Sequence, residues 1–144
     1  MKKFCAVVSI ALGLCFRAEA LTDGAWSFTV ANGEATLTQG YSGTGPEDLV
    51  LPATVSSGGT NYTVTAVGES AFSSRNWIKS VLVPATITNL ANNVFHSCSG
   101  ITNAVILAQA DVIDLGMFPS ESADFDSLVI SGKGSTRLVH SYGN

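Results

Sequence analysis

Enzymatic or metal chemistry needs nucleophiles, bases or ligand clusters at workable spacing, and this 144-residue chain has few. Cys98 stands two residues from His96, the nearest approach to a thiol–imidazole couple. A working couple also needs a third group to hold the imidazole. No such group is identifiable, and a buried structural thiol is the competing reading. His140 has no partner motif. The acids Asp111, Asp114, Glu121, Asp124 and Asp126 are the densest carboxylate run. Their spacing fits no EF-hand loop and Phe125 sits among them as a core residue, so a solvated turn is expected rather than a calcium site. Asn61-Tyr62-Thr63 is a formal glycosylation sequon and reads as an exposed hairpin tip. Glycines are frequent, yet no Gly-rich phosphate loop occurs. The residues imply no catalytic group, metal or cofactor, and a binding role is the stronger expectation.

The N-terminal residues set the compartment. Lys2 and Lys3 precede an apolar run from Phe4 to Phe16, followed by Ala18-Glu19-Ala20, a small-x-small site of the kind signal peptidase cleaves. The run is shorter than the roughly 20 residues a stable membrane span needs. A signal peptide over residues 1–20 is expected, with Leu21 the first mature residue. Leu12-Gly13-Leu14-Cys15 offers a lipoprotein alternative, weakened because a lipobox wants a small residue before its cysteine. Cleavage removes three of seven basic residues (Lys2, Lys3, Arg17) and one of eleven acids, Glu19. Arg75, Lys79, Lys133 and Arg137 then face ten acids, a formal charge of −6. Four scattered cations make no electrostatic footprint for nucleic acid or an anionic membrane. Cys5 and Cys15 leave with the signal, so Cys98 remains alone and no disulfide forms within the mature chain.

The elements that position these residues repeat. Shifted by 23, Thr65 falls on Thr88, Val67 on Leu90, Ala71 on Val94, Phe72 on Phe95, Ile78 on Ile101, Val81 on Ala104 and Val83 on Ile106. Upstream, Leu49 to Val55 matches Val81 to Ile87, with Ser56 to Thr63 inserted before the next unit. Downstream, Ile113, Met117 and Phe118 continue the series, and Phe125, Leu128 and Ile130 follow after one extra residue. This period lies in the range of leucine-rich repeats, whose units stack and bury one another's apolar faces. In each unit a strand such as Ser80–Val83 points alternate residues inward and ends at Pro84. One turn of helix over Glu69–Ser74 is expected to set Phe72 over that strand. Ahead of the repeats, Trp26 to Val30 and Ala35 to Thr38 alternate around Asn32-Gly33, predicting a β-hairpin that caps the first unit.

The expected fold class is thus a mixed α/β repeat, a short solenoid of about 23-residue units with an N-terminal β-hairpin cap. The predicted divisions are a signal peptide (1–20), the cap (21–48), the solenoid with two good and two partial units (49–130) and a tail (131–144).

The stretch from Ala71-Phe72 through Ile78 to Val81-Leu82-Val83-Pro84 resembles the BspA-like leucine-rich repeat, which reads approximately Ala-Phe-x-x-Cys-x-x-Leu-x-x-Val-x-Ile-Pro after an Ile-Gly lead-in. Val67-Gly68 matches the lead-in, and Phe95-His96-Ser97-Cys98 with Ile101 carries the next copy. The resemblance is good over residues 26–107 and weak over 110–130. It implies a secreted or surface-displayed bacterial protein that contacts host proteins or other cells, and it puts Cys98 at the family's buried ladder-cysteine position. Departures are Arg75 for that cysteine one copy earlier, Leu107 for Pro and Val94 for Ala. The chain also holds fewer copies than the family's long arrays.

Alternation within the repeat strands leaves Val50, Leu82, Val105 and Val129 facing outward. The resembled family more often has a small polar residue there, so four aliphatic residues in one row suggest an interface. The competing account is that β-branched residues suit strands or that a terminal segment covers the row. With Trp77, at a variable position of the repeat, these four residues are the candidate binding surface. The leading functional expectation is a secreted or cell-surface adhesion module recognising an unknown protein or glycan through this sheet face. Structural self-association in the envelope is the second reading, and a small secreted hydrolase the weakest.

Overall fold

The computed structural model describes residues 19–119 and 125–139. The expected signal peptide therefore lies outside the described residues except for Glu19 and Ala20, as do His140, Glu121 and Asp124. From the N-terminus, β1 (Leu21–Asp23), β2 (Trp26–Ala31) and β3 (Glu34–Gly40) form an antiparallel meander. Asn32 and Gly33, which join β2 to β3, have φ of 54° and 80°. A two-residue hairpin turn of this hand requires positive φ at both positions, which asparagine and glycine tolerate. After β4 (Asp48–Val50), the inserted segment becomes a second hairpin, β5 (Thr54–Ser57) and β6 (Thr60–Val67), turned by Gly58-Gly59.

From β6 onward the chain coils. It passes through β7 (Ser80–Val83), β8 (Asn89–Leu90), β9 (Asn103–Ile106), β10 (Val112–Asp114), a 3-10 turn (Leu115–Met117), β11 (Ser127–Ile130) and β12 (Arg137–Val139). One side of the coil is a four-stranded parallel sheet in the order β11-β9-β7-β4. The opposite side is built from β3, β6 and β8, paired in parallel, and further along from the parallel pair β10 and β12. Hydrogen bonds between adjoining coils link residues 23 apart, as between the Arg75 amide and Cys98 Sγ or between Ser99 and Asn76. Strand β3 belongs to both systems, because it pairs with β2 in the hairpin and with β6 in the coil. Arg137–Val139 form a strand within the segment expected to be a tail.

The core is a set of columns running along the stack. Phe72 and Phe95 are fully buried, with ring centroids 5.6 Å apart and planes 20° apart, and Phe95 meets Phe118 at 5.4 Å and 8°. Further repeat-related core pairs are Ile78 with Ile101 and Val83 with Ile106, all buried. Phe95 is covered on both sides by its equivalents Phe72 and Phe118, so its coil does not complete its own core. Gly40 permits the hairpin's approach, since a Cβ there would lie 2.5 Å from a Phe72 ring carbon and 2.7 Å from the Trp26 ring.

The expectation of a mixed α/β repeat is corrected in one respect. Among the described residues the regular elements are strands, save the three-residue 3-10 turn. The segment from Glu69 to Ser74 is a turn, with Ser70 and Ser74 at φ of 55° and 59°. Asn93 and Ser97 repeat this at the equivalent positions of the next coil, both at 58°. In Glu69–Ser74 the amides alternate: Phe72 N–H goes to Val94 O at 3.0 Å and Ser74 N–H to His96 O at 2.7 Å in the following coil, while Ala71 and Ser73 bond three residues back, to Gly68 O and Ser70 O. Six residues are too few to repay helix nucleation. The inter-coil bonds satisfy the same donors and let Phe72 descend into the stack.

Candidate binding surface

The parallel sheet sets the geometry of the outward face. Leu49, Val81 and Ala104 point into the core, so the next residue on each strand points away from it. The register places Val50 beside Leu82, Leu82 beside Val105 and Val105 beside Val129. With strands about 4.8 Å apart, these side chains make one aliphatic ridge across the sheet. Its ends are open, Val50 being 57% and Val129 47% exposed, while Leu82 and Val105 are half-buried between their neighbours.

A second row lies two residues earlier on the same face: Asp48, Ser80, Asn103 and Ser127, also in register. Ser80 Oγ donates to the Asp48 carboxylate, and Asn103 Nδ2 donates to Thr102 Oγ1 at 3.0 Å. The face therefore combines an apolar strip that gains by losing water with a polar strip offering donors and acceptors. Sequence reasoning did not select the polar row, although the two-residue period places it on the same side as the ridge. A second feature it missed is a shallow cleft of about 460 Å³ between the first strands and the following loop. Thr22, Ser27, Gln39, Tyr41 and Thr44 are among its lining residues.

Trp77 does not join the ridge. It precedes β7, is half-buried, and meets Tyr41 edge-on at 5.8 Å and 74°. Tyr41 in turn meets Trp26 edge-on at 5.3 Å. The loop closes on the indole because residue 45 is glycine, where a Cβ would fall 2.6 Å from the Trp77 ring. Part of its aromatic surface packs on the N-terminal aromatic group, and the rest is open to solvent.

Cys98 is fully buried, donating to Phe72 O at 3.0 Å and accepting from the Arg75 amide at 3.4 Å. Burial pushes the thiol above its usual range, and the bond from the Arg75 backbone and the nearby guanidinium charge only partly offset this. A thiol so placed is a cross-link between coils in its neutral form, the opposite of an activated nucleophile. The His96 side chain is exposed, with Nδ1 2.9 Å from Ser97 Oγ. Two of the described acids are engaged separately: Asp111 pairs with Lys133, and Asp114 accepts from the Gly116 amide at 2.8 Å to cap the 3-10 turn. Among the described residues no three metal-ligating groups come together. Asn61 is exposed on β6, two residues from the Gly58-Gly59 turn. No helix among the described residues is long and apolar enough to cross a membrane.

No family model and no curated protein matches the chain. Solved structures do. A leucine-rich repeat protein from Bacteroides ovatus superposes with a TM-score of 0.63 at 16% identity, over 89% of this chain and 38% of that one. One from Bacteroides capillosus gives 0.55 at 20% identity, covering 85% of this chain and 99% of that one. A leucine-rich cell surface protein from Faecalibacterium prausnitzii gives 0.55 at 19%, over 82% and 44%. The chain thus spans nearly all of one relative and less than half of the other two. With its columns of buried aliphatic and phenylalanine side chains and its ladder of parallel strands, the chain has the leucine-rich-repeat fold of these bacterial proteins.

Proposed function

We propose that the protein is exported, loses residues 1–20, and binds a protein or glycan partner through the outward face of its four-stranded parallel sheet. The observation that carries this reading is the ridge of Val50, Leu82, Val105 and Val129, in register across all four strands and flanked by a polar row. Contiguous apolar strips of this kind on a small protein mark interfaces, and the adjoining hydrogen-bonding groups add selectivity. Export is supported by Lys2-Lys3, the apolar run Phe4 to Phe16 and the Ala18-Glu19-Ala20 site, and β1 starts at Leu21, directly after that site. A surface location agrees with the description of the Faecalibacterium protein as a cell surface protein.

The test uses chain collected from the medium, which on this reading begins at Leu21 by mass. The wild type and a Leu82→Lys/Val105→Lys double variant are probed on glycan arrays and on purified surface and matrix proteins. Outward substitutions should change stability by about 0.5 kcal/mol per site or less, while ligand signals of the wild type disappear. A ligand bound equally by both chains moves the binding surface elsewhere.

A further inference from the structure

Each side of the coil ends, in the C-terminal coil, with a core position in solvent. Leu128 stands in register with the core residues Val81 and Ala104, yet it is 36% exposed where they are 2% and 1%. Leu138 is paired with the fully buried Ile113 and is 52% exposed. Both are core positions for which the described residues supply no further coil. Beside Leu128, the outer edge of β11 pairs with no strand among the described residues.

The hydrogen-bonding directions of that edge are readable. The amides of Ser127 and Ser131 donate to Thr102 O and Ile106 O on the β9 side. Alternation then turns the N–H and C=O groups of Leu128 and Ile130 toward the free edge. Protein edges are commonly protected by a charge, a proline or a bulge. Ser127 to Gly132 contains no charge and no proline, and β11 runs in unbroken register with β9.

We propose that this edge pairs antiparallel with the same edge of a second copy of the chain. One register satisfies both faces: Leu128 opposite Ile130 of the second copy, and Val129 opposite Val129 on the two-fold axis. In it Leu128 and Ile130 form hydrogen-bonded pairs, exchanging both backbone bonds, and core-side residues meet core-side residues. The two sheets become one of eight strands, and the aliphatic ridges join end to end through Val129. A second copy is favoured as occupant for three reasons. The segment is self-complementary in this register. It brings no like charges together in an acidic chain. The far edge strand, β4, is three residues long, carries Asp48 and lies between Pro46 and Pro52, features that protect an edge from pairing, so a head-to-tail stack is disfavoured and a two-fold contact between C-terminal ends closes on itself.

The mature chain should therefore run at twice its monomer mass in size exclusion with light scattering, and Leu128→Lys should return it to monomer mass with its circular dichroism unchanged. Because Leu128→Lys also touches the last coil, Val129→Cys provides an independent reading. Cα atoms directly opposite in a non-hydrogen-bonded pair lie about 4.5 Å apart, within disulfide reach. Val129→Cys should then oxidise to a covalent dimer, whereas Val50→Cys, on the far edge of the sheet, should not. A wild type that stays monomeric, or equal cross-linking at both positions, overturns the proposal. So does a chain ending at Val139 that dimerises when the full chain does not, since the chain's own C-terminal residues would then cover the edge. Leu82→Lys with Val105→Lys should lose the ridge ligand and keep the dimer, so this inference and the binding role fail separately.

Discussion

At the N-terminal end of the stack, Trp26 meets Phe72 edge-on at 6.1 Å and 73°, and Phe28 and Leu37 of the meander and Leu49 of β4 are all at 1% exposure or less. At the C-terminal end, Phe125 closes the same phenylalanine column edge-on against Phe118 at 5.1 Å and 81°, but the strands beyond it leave core positions in solvent. Between these ends the rings are stacked nearly parallel. A stacked ring continues a column, because the next coil repeats the same turn, whereas an edge-on ring ends it with chain of different geometry. Both ends terminate the aromatic column, and only at the N-terminal end are the core positions of the strands also covered.

The comparison is tested most severely in the middle. Phe95→Ala removes the ring stacked on both sides, and large-to-small core changes of this type cost roughly 3–5 kcal/mol. Small domains have about 5–15 kcal/mol in all, so thermal unfolding followed by circular dichroism should show a large drop in midpoint and loss of a sharp transition. A midpoint within a few degrees of wild type would mean that the coils do not depend on one another. The ends should then differ from each other. Trp26→Ala takes the cover from Phe72 and Tyr41 and should cost about 2–3 kcal/mol, edge-on aromatic contacts adding ~0.5–1.5 kcal/mol to the area lost. Phe125→Ala, at the open end, should cost about 1–2 kcal/mol in the same denaturation experiment. The reverse order would show the C-terminal end to be the better sealed.

The smallest effect concerns Cys98. Its thiol should react slowly with a thiol reagent in native protein and rapidly in denaturant. Because burial raises its folded pKa above the unfolded value, its contribution to stability is complete below the unfolded thiol's ~8.5 and is lost as pH rises through the folded value. Denaturation of wild type and Cys98→Ala at neutral and alkaline pH should therefore converge as pH rises. A gap that widens instead would contradict a buried neutral thiol.

Much of this stack is legible in the residues alone, for a physical reason. A coil repeats its core positions at a fixed spacing, so Phe72 and Phe95, Ile78 and Ile101, and Val83 and Ile106 announce their columns in a one-dimensional comparison. The outward row from Val50 to Val129 follows from the two-residue period of strands. The turn at Glu69–Ser74 is not legible as such. Its composition suits a helical turn, and the bonds that decide otherwise go to Val94 and His96 in the next coil. The place of Trp77 is hidden for a related reason, since its partner Tyr41 lies far off in sequence and the approach depends on Gly45.

The amino-acid sequence by itself thus determined the period, the identity of the core positions and the side of each strand that faces outward, because these are set by local alternation and repetition. Only the tertiary structure decided which ends are closed. Whether Leu128 is buried like Ala104 depends on the presence of another coil beyond it, and whether β3 is merely half a hairpin depends on its pairing with β6. Burial is a property of neighbours, and at the end of a stack the neighbour is not encoded in the residue it would cover.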